Sequence, residues 1–148
     1  MPTDRLALPL LAAAQAQKEV THNEALALLD MAVQPVVQAV GLITPPTSPA
    51  GGACWIVGAN PTGAWDGRAG ALAGWTDGGW RFLAPVEGMY AWSLSDRALA
   101  RFVGGAWTVE LRGAAIADVS GGSVQDVEAR AAINAVLALL RRRRLIAG

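Results

Sequence analysis

The sequence predicts an α+β protein: N-terminal helices, a small antiparallel Trp-rich β module (a meander or a barrel-like unit), and a C-terminal oligomerisation helix. Three observations lead there. All six tryptophans fall between residues 51 and 112. Three of them follow glycine turns, in Gly63-Ala64-Trp65, Gly78-Gly79-Trp80 and Gly105-Ala106-Trp107. On both sides of that segment the apolar residues recur at helical rather than strand spacing.

Residues 1–43 read as helical. Leu6, Leu10, Leu11 and Ala14 share one helical face. A second helix is expected from Thr21, because Thr21-His22-Asn23-Glu24 fits a capping box with Val20 at the staple position. Leu26, Leu29, Val33, Val36, Val37 and Val40 extend its stripe. Pro35 interrupts it and predicts a kink or break, and Gly41 is the expected stop. Residues 44–52 contain three prolines in Thr44-Pro45-Pro46-Thr47-Ser48-Pro49. Proline lacks an amide donor, so this stretch reads as a semi-rigid linker and a domain boundary.

Residues 53–112 read as the β module. Trp107, Val109 and Leu111 alternate with Thr108, Glu110 and Arg112, the period of a half-buried strand. Tyr90, Trp92 and Leu94 alternate likewise, and Trp80 and Phe82 share a face. Asp77-Gly78 predicts a hairpin turn, with further turns at Ser95-Asp96-Arg97 and Gly104-Gly105. Residues 113–148 return to helix, with Ser123 as the candidate cap. From Ala131 to Leu140 only Asn134 is polar. A helix apolar nearly all round needs burial on more than one face. The expected oligomer interface is therefore Ile133, Asn134, Val136, Leu137 and Leu140, with Asn134 fixing register.

Composition narrows the function classes. The chain has 148 residues and a formal net charge of +0, so no overall field draws it to nucleic acid or membrane. Charged residues make up 16%, against about 25% in an average soluble domain, which favours surface hidden in an assembly. No apolar run approaches the ~20 residues of a membrane span, and no secretory leader is expected from the first residues. Arg141 to Arg144 form the only charge run, and it complements a helix C-terminus. One histidine and one cysteine offer no metal cluster and no internal disulfide. No cofactor is expected.

No catalytic constellation stands out. Asp66, Asp77 and Asp96 lie in or beside turns near tryptophans, and two carboxylates near an aromatic platform can hydrolyse a glycosidic bond. Turns also select aspartate for purely local reasons, and that reading is preferred. Trp80, Trp92 and Trp107 fit core positions, whereas Trp65 and Trp75 lie in glycine-rich, less patterned sequence. The latter two, with Asp66 and Asp77, are the candidate contacts to a carbohydrate or a protein partner.

The run Leu8-Pro9-Leu10-Leu11, Gln15-Ala16-Gln17-Lys18, Val20-Thr21-His22-Asn23-Glu24-Ala25-Leu26 and Leu29-Asp30 resembles the N-terminal signature of the DUF2793 family. Pro45 to Pro49, Trp55-Ile56-Val57, Thr62-Gly63-Ala64-Trp65 and the ending from Ala132 to Ala147 are similar to its later parts. Glu19 and the tetra-arginine run depart from the family pattern. The family occurs in bacteriophages, prophages and the gene transfer agents of alphaproteobacteria. The resemblance implies a non-enzymatic virion component, a head spike or tail fibre protein assembled in the bacterial cytoplasm and acting in host attachment. Implied partners are further copies of the chain (a trimer first, a five-fold arrangement second), capsid or tail proteins, and host surface polysaccharide. Gln15, Gln17, Lys18, Thr21, His22, Asn23 and Glu24 are then the expected anchoring residues.

Overall fold

The computed structural model describes residues 2–12, 18–110, 113–122, 126–143 and 145–147, with the side chain of Lys18 also outside that set. The chain forms two compact units, Met1–Glu110 and Leu111–Gly148. The first carries helix α1 (Lys18–Ala32), then strands β1 (Val36–Val37), β2 (Val40–Leu42), β3 (Cys54–Val57), β4 (Leu72–Thr76), β5 (Gly79–Leu83), β6 (Tyr90–Ser93), β7 (Ala98–Val103) and β8 (Ala106–Val109). A 3₁₀ turn, Gly63–Trp65, lies between β3 and β4. The second unit carries helix α2 (Val127–Arg142).

The α+β class holds, with one helix before and one after a Trp-rich β module in the chain, but the strands form two mixed sheets rather than one antiparallel meander. Their orders are β1-β6-β7-β8 and β2-β3-β4-β5. Hairpins β4–β5, β6–β7 and β7–β8 turn at the predicted places and pair antiparallel. Strands β1 and β2, from the segment expected to be helical, pair parallel with β6 and β3. Pro35, Val37 and Gln38 stitch both sheets: Trp92 N donates to Pro35 O at 2.8 Å and Leu94 N to Val37 O at 2.9 Å, while Gln38 N donates to Cys54 O at 2.8 Å.

That stitch overturns two expectations. Helix α1 ends at Ala32, because Gln34 takes a left-handed φ of 47° and Pro35 cannot continue the ladder. Val36, Val37 and Val40 are β-branched residues that serve strands better than helices. Residues 44–52 do not divide the chain, since β2 before them and β3 after them are neighbours in one sheet. Their ends are tied down, with Gly52 N donating to Trp75 O at 2.9 Å.

The N-terminal segment is a strap, not a helix, over its described residues 2–12. Pro2 and Pro9 form an antiparallel bridge, and Thr3 N donates to Leu8 O at 2.9 Å. The loop so closed wraps the carboxylate of Asp30, which is buried on α1. Asp30 accepts from Thr3 Oγ1 at 2.8 Å, from Arg5 N at 2.9 Å and from Leu6 N at 2.6 Å. No basic residue of α1 itself lies in its last turn. Arg5 supplies that charge from the strap: its guanidinium donates to Asp30 O and, at 2.8 Å, to Gln34 O.

The main core lies between the sheets, where Val37, Ala91 and Ala100 meet Cys54, Ile56, Leu72 and Met31. Gly74 admits α1 onto β4, since a Cβ there would sit 2.7 Å from Met31 Sδ. The face expected to be buried on β6 is reversed. Ala91 and Ser93 point inward and are buried, while Tyr90 and Leu94 are 47% and 45% exposed and Trp92 is half-buried. Small residues fit inside because Ile56, Leu72 and Met31 of the opposing elements fill that volume. A second cluster, Trp55, Val57, Trp65 and Ala73, lies on the other face of the β2-β3-β4-β5 sheet.

In the second unit the N-cap of α2 is Asp126, whose Oδ1 accepts from Ala129 N at 2.8 Å. The expected cap Ser123 lies outside the described residues. Asn134, Arg130 and Arg141 hold the extended segment 113–122: Val119 N donates to Asn134 Oδ1 at 3.0 Å, Arg130 donates to Gly121 O, and Arg141 pairs with Asp118 at 2.7 Å.

Replacing Asp30 by Ala leaves the Thr3 hydroxyl and two amides without their acceptor. We expect a loss of about 2–4 kcal/mol in urea unfolding. Amide exchange at Arg5 and Leu6 should accelerate before that of β3 and β4; equal acceleration everywhere would contradict a local role for this loop.

Candidate functional site

Two surfaces of the first unit gather the predicted residues. The outer face of the β2-β3-β4-β5 sheet is aromatic. Trp75 and Trp80 are directly paired across the β4–β5 hairpin, with ring centroids 5.1 Å apart at 69°. Trp80 meets Trp65 edge-on at 5.1 Å and Trp55 at 5.6 Å. Such edge-to-face contacts add to the burial of the rings.

Trp65 is delivered by the 3₁₀ turn, which Gly63 opens with a φ of 61°. Asp66 N donates back to Gly63 O at 3.1 Å, and Thr62 N anchors the loop on Ile43 O at 2.9 Å. The turn drives the indole into the sheet, so Trp65 is 0% exposed and cannot be a stacking platform. Its Nε1 has no acceptor among the described residues. Asp66 stays exposed at the turn. Trp75 is half-buried, as are Trp80 and Phe82 of β5. These three form the accessible aromatic row. Sequence reading missed Trp80 and Phe82 as surface groups, although their alternation with Arg81 already put both on one face; the pairing of Trp75 with Trp80 adds the third ring. Trp107 is held inside by its Nε1 donating to Gly70 O at 2.8 Å.

The second surface is a cleft of about 420 Å³ on the opposite face of that sheet, between the strap, α1 and the β4–β5 hairpin. It brings Asn23 and Glu24 together with Asp77 and the backbone of β4 at Trp75. Asp66 does not reach it, so Asp66 and Asp77 do not share a pocket among the described residues. Helix α1 starts at Lys18, which places Thr21-His22-Asn23-Glu24 inside the helix and removes the capping-box reading. Asn23 instead clips the strap, accepting from Leu11 N at 2.9 Å and donating to Leu11 O at 3.0 Å. Glu24 accepts from Arg81 Nε at 2.7 Å. Thr21 and His22 are exposed, and Gln15, Gln17 and the Lys18 side chain lie outside the described residues. Asp30, Arg5 and Arg81 were missed as partners, because a helix-period reading gives no sign of what a distant segment will donate.

Cys54 closes the bottom of the cleft at 1% exposure. Burial pushes its thiol up from 9.0 to about 11, with Arg5 lowering it and Asp30 raising it to smaller extents. Among the described residues no group of histidine, cysteine and carboxylate side chains is placed to hold a metal, and no helix is long and apolar enough to cross a membrane.

In the second unit the inward stripe of α2 is Arg130, Asn134, Leu137 and Arg141. Leu137 is 6% exposed, and Asn134 is engaged by Val119, so it is not a free register-setting group. Ile133 and Val136 are 47% and 55% exposed, while Leu140 is half-buried.

These contacts define a small α+β domain of two mixed sheets, strapped by its own N-terminal segment and carrying an aromatic face and an apolar cleft. The chain belongs to the DUF2793 family: the profile of that family, described as "Protein of unknown function", matches residues 22–108, more than half of the chain. The match runs from α1 to β8 and takes in both sheets. No curated protein matches the chain.

The raised thiol fixes a pH dependence. Below pH 9 the thiol is neutral in both folded and unfolded chains. Between 9.0 and about 11 only the unfolded chain loses the proton, so stability falls as pH rises through that window, by up to about 3 kcal/mol. Urea unfolding of the wild type and of Cys54→Ala should diverge above pH 9 and run parallel below it. A wild-type curve parallel to the variant at all pH values would contradict the raised pKa.

Proposed function

We propose that this chain is a non-enzymatic structural component of a phage or gene transfer agent particle, of head spike or tail fibre type, which works as a homo-oligomer in attachment to the host surface. Membership of the DUF2793 family supports the class, through the virion setting that the resemblance implies. The observation that carries the assembly reading is the inside-out build of α2. Its inward stripe is mainly polar and holds residues 116–121, while Ile133, Val136 and Leu139 leave 47%, 55% and 42% of their surface exposed on the other side. Those three recur at i, i+3 and i+6, one continuous ridge. A ridge of that kind is covered when copies pack helix to helix, and three copies about one axis is the preferred arrangement. The strapped β module would then supply the contacts to capsid or tail neighbours and the host.

Light scattering at micromolar concentration tests the assembly. The wild type should run as a trimer, and Val136→Asp should shift it to monomer without changing the β-sheet circular dichroism. A wild type that is already a monomer would sink this reading.

A second reading, a module binding host surface polysaccharide, is favoured by the half-buried row Trp75, Trp80 and Phe82 on the β4–β5 hairpin. Aromatic faces stack on sugar rings, and Arg68 already lies 5.0 Å over the Phe82 ring. In a glycan-binding screen, Trp75→Ala and Trp80→Ala should each lower binding about tenfold or more, since one ring contact contributes about 1–3 kcal/mol by analogy with base stacking. Binding left intact in both variants would remove the row as a platform. Trp65→Ala is expected to unfold the module instead, by about 3–5 kcal/mol.

A further inference from the structure

The arginine run at the end of α2 has two described members with nothing to hold. Arg141 is committed, to Asp118 at 2.7 Å and to Ile116 O. Arg142 and Arg143 are exposed, and neither side chain has a hydrogen bond or ion pair to a described residue. The tail after them folds back elsewhere: Leu145 N donates to Leu140 O at 3.0 Å, and Gly113 bridges Ile146 and accepts from Ala147 N at 2.7 Å. Arg143 closes the helix as its C-cap with φ −78° and ψ −1°, still helical. It therefore stands one heptad after Val136 and one turn after Leu139, on the same outward ridge. Arg142 lies about 100° round the helix from it.

On the assembly reading, on which this inference rests, the ridge lines an axis shared by three copies. We infer that the Arg143 side chains of the three copies converge there and bind one tetrahedral oxyanion, a phosphate dianion or a phosphate monoester. Rotation about one axis keeps the helices parallel, so their acidic first turns stay at the far end. Glu128 is about 22 Å from Arg143 along the helix, at ~1.5 Å per residue. Each helix dipole offsets only about half a charge at its C-terminus, against a full charge on every Arg143. The end of the bundle is left positive, and like charges gathered on one axis need a counter-charge from outside. Symmetry selects its shape. A tetrahedral oxyanion has a three-fold axis of its own, so three oxygens each meet one guanidinium and the fourth lies along the bundle. A carboxylate has two oxygens and leaves one guanidinium unmatched. Guanidinium forks also match phosphate oxygens closely.

Sedimentation equilibrium of the full chain tests this in chloride, inorganic phosphate and glycerol 1-phosphate buffers of equal ionic strength. At about pH 8 the phosphate is mainly dianion. Phosphate at ten times its dissociation constant should tighten the trimer about tenfold, and calorimetry should give one phosphate per three chains. Arg143→Gln should abolish both effects and leave the trimer in chloride at least as tight as the wild type, because the repulsion is gone. Arg142→Gln, off the ridge, should keep both. Unchanged far-UV circular dichroism establishes that each variant is folded. A matching response to glycerol 1-phosphate assigns the site to phosphate esters, and a response to inorganic phosphate alone assigns it to the free ion. A trimer indifferent to phosphate, or a response that survives Arg143→Gln, overturns the ring and leaves the assembly standing. A monomer in every buffer overturns both.

Discussion

The carboxylate of Asp30 is the hinge of the first unit. It is buried at 5% exposure on the last turn of α1 and takes three donors from a strap more than twenty residues upstream. An ionised carboxylate out of water is tolerated only when its lone pairs are filled, so the helix and the strap have to fold together. The strap in turn brings Arg5 to the open carbonyls at the end of α1. With the end of α1 held, the chain leaves at Pro35 directly into β1 and β2, the two short strands that join the sheets. The cleft lies where the same strap, fastened to α1 and lying against Gly51 and Gly52, leaves space beside β4 unfilled. Residues of the family-like entry, Leu8, Pro9, Leu11, Asn23 and Asp30, are thus internal fasteners within the unit.

Inside-out patterning recurs in both units. On β6 Ala91 and Ser93 go in, and Tyr90, like Leu94 just after the strand, goes out. On α2 the arginines and Asn134 go in, and Ile133 and Val136 go out. On β6 the cause is the bulk of the facing elements. On α2 it is an irregular segment, 113–122, whose amide and carbonyl groups need partners that side chains must provide.

Much of the β module was legible because its turns are chemically specific. The β4–β5 and β7–β8 turns need left-handed backbone, and Gly79, Gly104 and Gly105 take the positive φ there, so local chemistry alone placed those hairpins. The α+β class followed from the same turns and from the two helical periods. Less of the candidate sites was legible. Asp77, Glu24 and Asn23 were singled out for other reasons and meet in the cleft through contacts between distant segments. Trp65 looked exposed because glycines surround it, yet those glycines are what lets the turn press its ring inward. Val36 and Val40 fit a helical stripe as well as strands, and periodicity over so few residues does not separate the two.

By itself the sequence determined the hairpins, the existence of α1 and α2, and the concentration of tryptophans in one module, because each depends on contacts within a few residues. Tertiary structure alone decided the parallel pairing of β1 and β2, the faces of β6 and α2, the fate of each tryptophan and the partners of Asp30. Those depend on which groups far along the chain arrive to fill a volume or satisfy a buried polar atom, and no local pattern records that.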